Sequence, residues 1–138
     1  MFELLAAYQS SILVLGLTGA LSLLQLLVFD ITAIKLKHPP GYPIESSHKN
    51  MLFRFSRAHA NTNETMGVMI LLFLFAALSA ADPYWVNGLM IVYLVTRVLH
   101  MICYYAAWSA MRGVIFGFSL LSLIGLFVVG LMKYLSMY

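Results

Sequence analysis

Residues 53–64 read FRFSRAHANTNE and lead into the long apolar segment 66–81. If this stretch is one helix, Arg57, Asn61 and Glu64 stand at positions i, i+4 and i+7, so Asn61 and Glu64 each lie within about 40° of Arg57 on one face. The stripe then directs a guanidinium, an amide and a carboxylate the same way at the mouth of a membrane segment. Ionisable groups at membrane depth are costly and usually face a protein interior or a wet cavity. The stretch therefore predicts a polar cavity that the rest of the chain must enclose.

The composition is that of an integral membrane protein. Of the 138 residues, 62% are hydrophobic and 9% are charged, whereas a soluble domain carries about 25% charged residues. A helix needs about 20 apolar residues to span a bilayer, so this length accommodates four spans with short connections and no separate soluble domain. The net charge is +3, but no basic run contains interleaved aromatic residues, which argues against nucleic acid as a partner.

We predict an all-α protein, a transmembrane four-helix bundle that forms a single membrane domain over residues 1–138. The spans are expected at about residues 4–34, 51–81, 84–108 and 114–134. The first apolar run is too long for a signal peptide and is interpreted as an uncleaved span. Asp82 and Pro83 should end the second span and start the third, with Asp82 as the cap and Pro83 in the first turn. Basic residues concentrate around the first and third loops, which the positive-inside rule places in the cytoplasm.

Three side chains of types that often bind metals are interpreted as structural or solvated. The single cysteine, Cys103, rules out an intrachain disulfide and a cysteine-based metal site, and within its apolar run it is expected to be buried. His38 and His48 fall in the proline-rich first loop without the spacing of metal ligands. They are interpreted as solvated loop residues, and no metal is predicted.

A second polar stripe lies in the third span. Arg97, His100 and Tyr104 stand at positions i, i+3 and i+7 and share one helix face. Arg97 comes about 13 residues after Tyr84, so it should lie deep in the bilayer. A buried arginine needs a carboxylate or several carbonyl groups as partners. Glu64 is the expected partner.

The polar set as a whole suits a small ligand with several charges. Its members are Arg57, Asn61, Glu64, Arg97, His100, Tyr104 and Arg112. Arginine binds carboxylates in a bidentate manner and glutamate accepts from an ammonium group, so a tripeptide with two carboxylates and one amine would match. Arg112, in the short turn before the fourth span, would lower the pKa of a bound thiol and make the thiolate nucleophile. Alternatively, pairs such as Arg97 with Glu64 and Arg57 with Asn61 only lock the bundle together.

These residues, in this order, resemble the MAPEG family, the membrane-associated proteins in eicosanoid and glutathione metabolism. The likeness covers about residues 54–113 and rests on Arg57-Ala58-His59-x-Asn61-x-x-Glu64, Asp82-Pro83, Arg97-x-x-His100-x-x-x-Tyr104 and Arg112. It is closest to the microsomal glutathione transferase and prostaglandin E synthase branch, whose members carry Arg-Ala-His in this place. The resemblance implies a homotrimer of four-helix subunits that uses glutathione as a co-substrate. Its sites would lie between neighbouring subunits and open to the cytoplasmic side.

The resemblance also implies roles for single residues. Glutathione would be bound by Asn61, Glu64, His100 and Tyr104, its thiolate would be stabilised by Arg112, and the site would be shaped by Arg57 and Arg97. Two positions depart from the family pattern. Ala60 replaces an arginine that contacts glutathione in the prostaglandin branch, and Gly113 replaces a serine. These departures argue against the prostaglandin reaction and are expected to weaken glutathione binding.

The predicted function is that of a membrane-embedded, glutathione-dependent transferase or peroxidase. Its second substrate would be a lipophilic electrophile or a lipid hydroperoxide that arrives through the surrounding membrane lipids. Two alternatives remain at this stage. One is a non-catalytic membrane protein that binds glutathione or lipid, and the other is a small proton-coupled exporter that uses Glu64 as its membrane carboxylate. The minimal loops and the lack of an organelle signal favour a bacterial inner membrane.

Overall fold

Four of the helices that the structure describes are long and apolar enough to cross a membrane. The computed structural model describes residues 2–137, and its helices are α1 (Phe2–Ala7), α2 (Gln9–Lys35), α3 (Met51–Leu78), α4 (Pro83–Tyr105) and α5 (Ser109–Leu135). The candidate spans are α2 to α5. The predicted all-α transmembrane four-helix class is therefore confirmed.

Two helices form the centre of the bundle. Helix α3 packs against α2, α4 and α5, and α4 also packs against α2 and α5. The apolar core lies where α3 ends and α4 begins, around Met69, Phe73, Met90 and Leu126. The opposite end of the bundle carries the connections of residues 36–50 and 106–108, and we call it the basic end. The polar residues of the two stripes lie between the apolar core and this basic end.

The central helices begin at side-chain caps. Asn50 accepts a hydrogen bond from the backbone N–H of Leu52 at 3.0 Å, before the first turn of α3. Asp82 likewise accepts from the N–H of Tyr84 at 2.9 Å, with Pro83 at the start of α4. Each cap satisfies an N–H group that has no partner inside its helix. The prediction for Asp82 and Pro83 is confirmed.

Helix α3 ends at Leu78, three residues before the predicted end of the second span. Ala80 adopts a left-handed backbone with a φ of 52°, and the N–H of Ala81 then donates to the carbonyl of Ala76 at 3.0 Å. This arrangement satisfies a carbonyl at the helix end and turns the chain sharply. Ala107, with a φ of 59°, does the same after α4, so the third span also ends before its predicted boundary.

The predicted first span, residues 4–34, is divided at Tyr8, between α1 and α2. The Tyr8 hydroxyl donates to the carbonyl of Ala81, and its ring packs edge-on against Phe73 at 6.3 Å. Tyr8 is 3% exposed. The side chain thus satisfies a carbonyl in the connection between α3 and α4, and hydropathy alone does not reveal such a contact.

The fourth helix begins five residues before its predicted start. Helix α5 starts at Ser109, after Trp108, and the N–H of Arg112 donates to the carbonyl of Trp108 at 3.3 Å. The prediction that Arg112 lies in a turn is therefore wrong. It lies in the first turn of α5, where the positive end of the helix dipole adds to its own charge.

Close packing of α5 against α3 depends on Gly130. A Cβ atom at this position would lie 2.9 Å from two ring carbons of Phe75 and 3.1 Å from Cα of Ala76. The Phe75 ring can move, but the Ala76 backbone cannot do so without shifting α3. We therefore expect Gly130→Ala to lower the free energy of unfolding by about 1–3 kcal/mol.

Gly117 provides the matched control for this prediction, because it lies in the same helix. A Cβ atom there meets nothing within 4 Å, and alanine favours a helix over glycine by about 0.8–1 kcal/mol. Gly117→Ala should therefore be neutral or stabilising. Thermal unfolding of both variants in detergent micelles measures the difference, and equal melting temperatures would contradict the packing argument.

Candidate functional site

Arg97 on α4 is fully buried, with 0% of its surface exposed. Its Nε and Nη2 donate to Oγ of Ser119 at 3.1 and 2.6 Å, and its Nη1 donates to Oδ1 of Asn61 at 2.9 Å. The guanidinium carbon lies 5.9 Å from the ring centre of Tyr93 and 5.3 Å from that of Phe116. A hydroxyl, an amide oxygen and two aromatic faces therefore surround this charge.

The expected pairing of Arg97 with Glu64 is wrong. Within residues 2–137, the ion pair of Glu64 is made with Arg57, at 3.7 Å between Oε1 and Nη2. The interpretation that Arg57 pairs with Asn61 is also wrong, because Asn61 accepts a hydrogen bond from Arg97 instead. The amide sits one helical turn from the carboxylate, and the rotation of α3 brings the amide to Arg97.

The Arg57–Glu64 pair lies on the outer face of α3. The side chains of Arg57 and Glu64 are 40% and 55% exposed. Glu64 comes 13 residues after Met51, the first residue of α3, which corresponds to about 20 Å along the helix axis. Charges within a membrane-spanning helix are costly against lipid, so a protein surface or a wet crevice is needed next to this face.

The remaining predicted site residues form a line from Arg97 toward the basic end. The ring of His100 lies 5.1 Å from that of Tyr104, at an angle of 79°, and 5.8 Å from that of Phe116. The guanidinium carbon of Arg112 lies 4.5 Å from the centre of the Tyr104 ring. His100 and Tyr104 are 3% and 6% exposed, whereas Arg112 is partly exposed. This line therefore connects a buried guanidinium to one near the surface.

The predicted site residues thus fall into three groups. The structure joins Asn61 to Arg97, Arg57 to Glu64, and His100 through Tyr104 to Arg112. The first and third groups meet at Phe116, which contacts both Arg97 and His100. The second group lies on the outer face of α3, one helical turn from Asn61.

Sequence reasoning missed two residues of this region. His48 is exposed, as predicted for a solvated loop residue, but its Nδ1 also lies 3.3 Å from Nη1 of Arg112. Ser119 accepts two hydrogen bonds from Arg97, but a serine within a span is typical of helix packing and does not by itself indicate this role. One signal was present: Arg112, Phe116 and Ser119 stand at i, i+4 and i+7 and so share a face of α5. Cys103 is 3% exposed, which confirms its predicted burial.

A model of the MAPEG family matches residues 11–132 of the sequence. The chain belongs to the MAPEG family. The match runs from the first turn of α2 to the last turns of α5, so it includes all seven predicted site residues. A comparison with curated proteins finds no match. Membership in the MAPEG family confirms the resemblance drawn from the polar stripes, whereas the branch within the family stays a prediction.

Proposed function

We propose that this protein is a membrane-embedded glutathione transferase or peroxidase in which Arg112 stabilises the glutathione thiolate. The observation that carries the proposal is the distribution of charge around the site. Among residues 2–137, neither Arg97 nor Arg112 forms an ion pair with a carboxylate, whereas Glu64 holds its carboxylate on an exposed face. The partly exposed guanidinium of Arg112 can contact a carboxylate or thiolate directly, whereas the fully buried charge of Arg97 favours an anion only from a distance. The accessible carboxylate of Glu64 attracts an ammonium group. Glutathione carries all of these groups.

Each residue has a defined task in this proposal. Asn61, Glu64, His100 and Tyr104 hold the tripeptide, while Arg57 and Arg97 shape the site. Arg112 and the amino end of α5, where the N-cap residue Trp108 makes no side-chain cap hydrogen bond, favour an anion at the sulfur. The thiolate then attacks the electrophilic atom, and the leaving group departs with its electron pair.

With a lipid hydroperoxide, the same thiolate cleaves the oxygen–oxygen bond. The products are the alcohol and a glutathione sulfenic acid, which a second glutathione converts to disulfide and water. Both reactions need a nucleophilic thiolate and a substrate that partitions into the membrane. The membrane spans support this because a lipophilic substrate reaches the site laterally from the lipid.

We further infer that the protein is a homotrimer with its sites between subunits, as the family resemblance implies. The support in this chain is the Arg57–Glu64 pair, which lies within a candidate membrane span on an exposed face of α3. A second copy packed there would exclude lipid from the charges. We also infer that the basic end faces the cytoplasm in a bacterial inner membrane. The positive-inside rule supports this orientation, because the basic end carries Lys35, Lys37, Lys49, Arg54 and Arg112.

The test is to add glutathione to the purified full-length protein and record the far-ultraviolet absorbance of the thiolate at pH 7. A free thiol has a pKa of about 8.5 and is mostly protonated at this pH, so an absorbance well above that of free glutathione is expected. S-Methylglutathione, which cannot ionise at sulfur, should compete without giving the signal. Turnover is then measured with 1-chloro-2,4-dinitrobenzene as electrophile and with cumene hydroperoxide.

Each other outcome contradicts the enzyme proposal in its own way. Calorimetric binding of glutathione without a thiolate signal or product would identify a binding protein. Absence of glutathione binding, together with efflux of a cationic dye driven by a pH gradient in proteoliposomes, would identify an exporter.

A further inference from the structure

Ser119 is a fully buried residue of α5, with 0% of its surface exposed. Its Oγ accepts two N–H groups of Arg97 and donates its own hydrogen to Oγ1 of Thr96 at 2.8 Å. Thr96 in turn donates to the carbonyl of Val92 at 2.8 Å. A guanidinium has no acceptor and a carbonyl has no donor. In this series of hydrogen bonds, each donor must therefore lie on the Arg97 side of its acceptor, from the guanidinium through Ser119 and Thr96 to the backbone carbonyl.

The other side of Arg97 fixes an amide. Its Nη1 donates to Oδ1 of Asn61 at 2.9 Å. Because the guanidinium cannot accept a hydrogen bond, the Asn61 oxygen must face Arg97 and the NH2 group must point away from it. Asn61 is partly exposed, whereas Arg97 is fully buried. In the part of the chain that the structure describes, no protein group accepts from this NH2.

We propose that Ser119 is a positioning residue that acts through Arg97 to keep Asn61 a hydrogen-bond donor toward the ligand. The ligand atom at Asn61 is then an acceptor, a carboxylate or peptide carbonyl oxygen. This inference rests on the proposed glutathione site. It specifies that the NH2 group of Asn61 faces the ligand, which the identity of the residue alone does not determine because an amide can donate or accept. Without Ser119, Arg97 loses two of its three hydrogen bonds to side-chain oxygens and no longer holds the amide in one orientation.

The first test compares Ser119→Ala with Ser122→Ala. Ser122 is also buried in α5, and its hydroxyl donates to the backbone carbonyl of Ser119 at 2.7 Å, so it makes no hydrogen bond to Arg97. We expect Ser119→Ala to raise the Kd and KM for glutathione about tenfold, with a smaller change in kcat, and Ser122→Ala to stay within twofold of wild type. Equal effects of the two substitutions, at equal melting temperatures, would overturn the proposal.

The second test replaces the hydrogen-bond donor of Asn61 with an acceptor and keeps the oxygen that faces Arg97. Asn61→Asp keeps that oxygen and adds a charge opposite the buried guanidinium, but it removes the NH2 group. We expect a melting temperature at least as high as that of wild type and a Kd for glutathione raised at least tenfold. If Asn61 served only to stabilise the bundle, Asn61→Asp would bind glutathione as well as wild type does, and the proposal would be lost.

A third measurement does not depend on glutathione. In protein labelled with 15N-asparagine, the Asn61 side-chain NH2 signal is identified by its loss in Asn61→Asp. This NH2 should exchange with water in the wild type. Its chemical shift should move in Ser119→Ala and stay in place in Ser122→Ala. If wild type does not bind glutathione but these shifts behave as expected, the proposed function fails and the positioning role stands, whereas an unmoved signal in Ser119→Ala rejects the positioning role.

Discussion

Arg112→Ala should lower kcat for glutathione conjugation about 100- to 1,000-fold, the loss typical of removing one group that stabilises a developing anion. Arg112 lies in the first turn of α5 with its guanidinium carbon 4.5 Å from the Tyr104 ring. Within the described residues it has no carboxylate partner, so in the proposed site its charge would be free to stabilise the sulfur of glutathione. Removing it should return the pKa of the bound thiol toward that of a free thiol, about 8.5.

The measurements are kcat with 1-chloro-2,4-dinitrobenzene and the thiolate absorbance of bound glutathione. Arg112→Lys keeps the charge but loses the planar fork, so its rate should fall between those of wild type and Arg112→Ala. Lys133→Ala, in the last turn of α5 at the opposite end of the bundle, is the matched control and should stay within twofold of wild type. An unchanged thiolate signal in Arg112→Ala would assign the stabilising charge to another residue.

The spans and the caps of this protein could be predicted from sequence because they depend on local chemistry. Long apolar runs identify α2 to α5, and Asp82 followed by Pro83 identifies the start of α4. The residues at which α3 and α4 end could be predicted less accurately than the start of α4. Both are followed by an alanine in the left-handed region, Ala80 and Ala107, where glycine is the usual residue and alanine gives no signal.

The partner of Arg97 could not be predicted because it depends on how α3 is rotated against α4. Asn61 and Glu64 are three residues apart, so their side chains differ by about 60° around the helix axis. Spacing shows that both lie on one side of α3, but packing decides which of them faces Arg97. The resulting contact is with the amide, at 2.9 Å. The carboxylate is left on the outer face, where it remains available to a ligand.

That exposed carboxylate leads to the second large expected effect. In the proposed site between subunits, the Glu64 carboxylate and the ammonium group of the ligand would form a buried pair. Glu64→Gln should then raise the Kd for glutathione at least about 30-fold, because removing one partner of a buried, hydrogen-bonded charge pair costs about 2–5 kcal/mol. The pair of Glu64 with Arg57 is loose at 3.7 Å, beyond hydrogen-bonding distance, so the carboxylate can turn to the ammonium group of a ligand. An exposed pair contributes only about 0–1 kcal/mol to stability, so the melting temperature should hardly change.

A ligand without the amino group separates this role from a general loss of binding. For glutaryl-cysteinylglycine, which is glutathione lacking its amine, the Kd values of wild type and Glu64→Gln should agree within about threefold, since the ammonium partner is absent from both complexes. Asp30→Asn is the control, because Asp30 is an exposed carboxylate of α2, and it should not change either Kd. If Glu64→Gln weakens both ligands equally, Glu64 does not bind the ammonium group. If Glu64→Gln changes the Kd of neither ligand but abolishes pH-driven efflux, the Glu64 carboxylate serves proton-coupled transport.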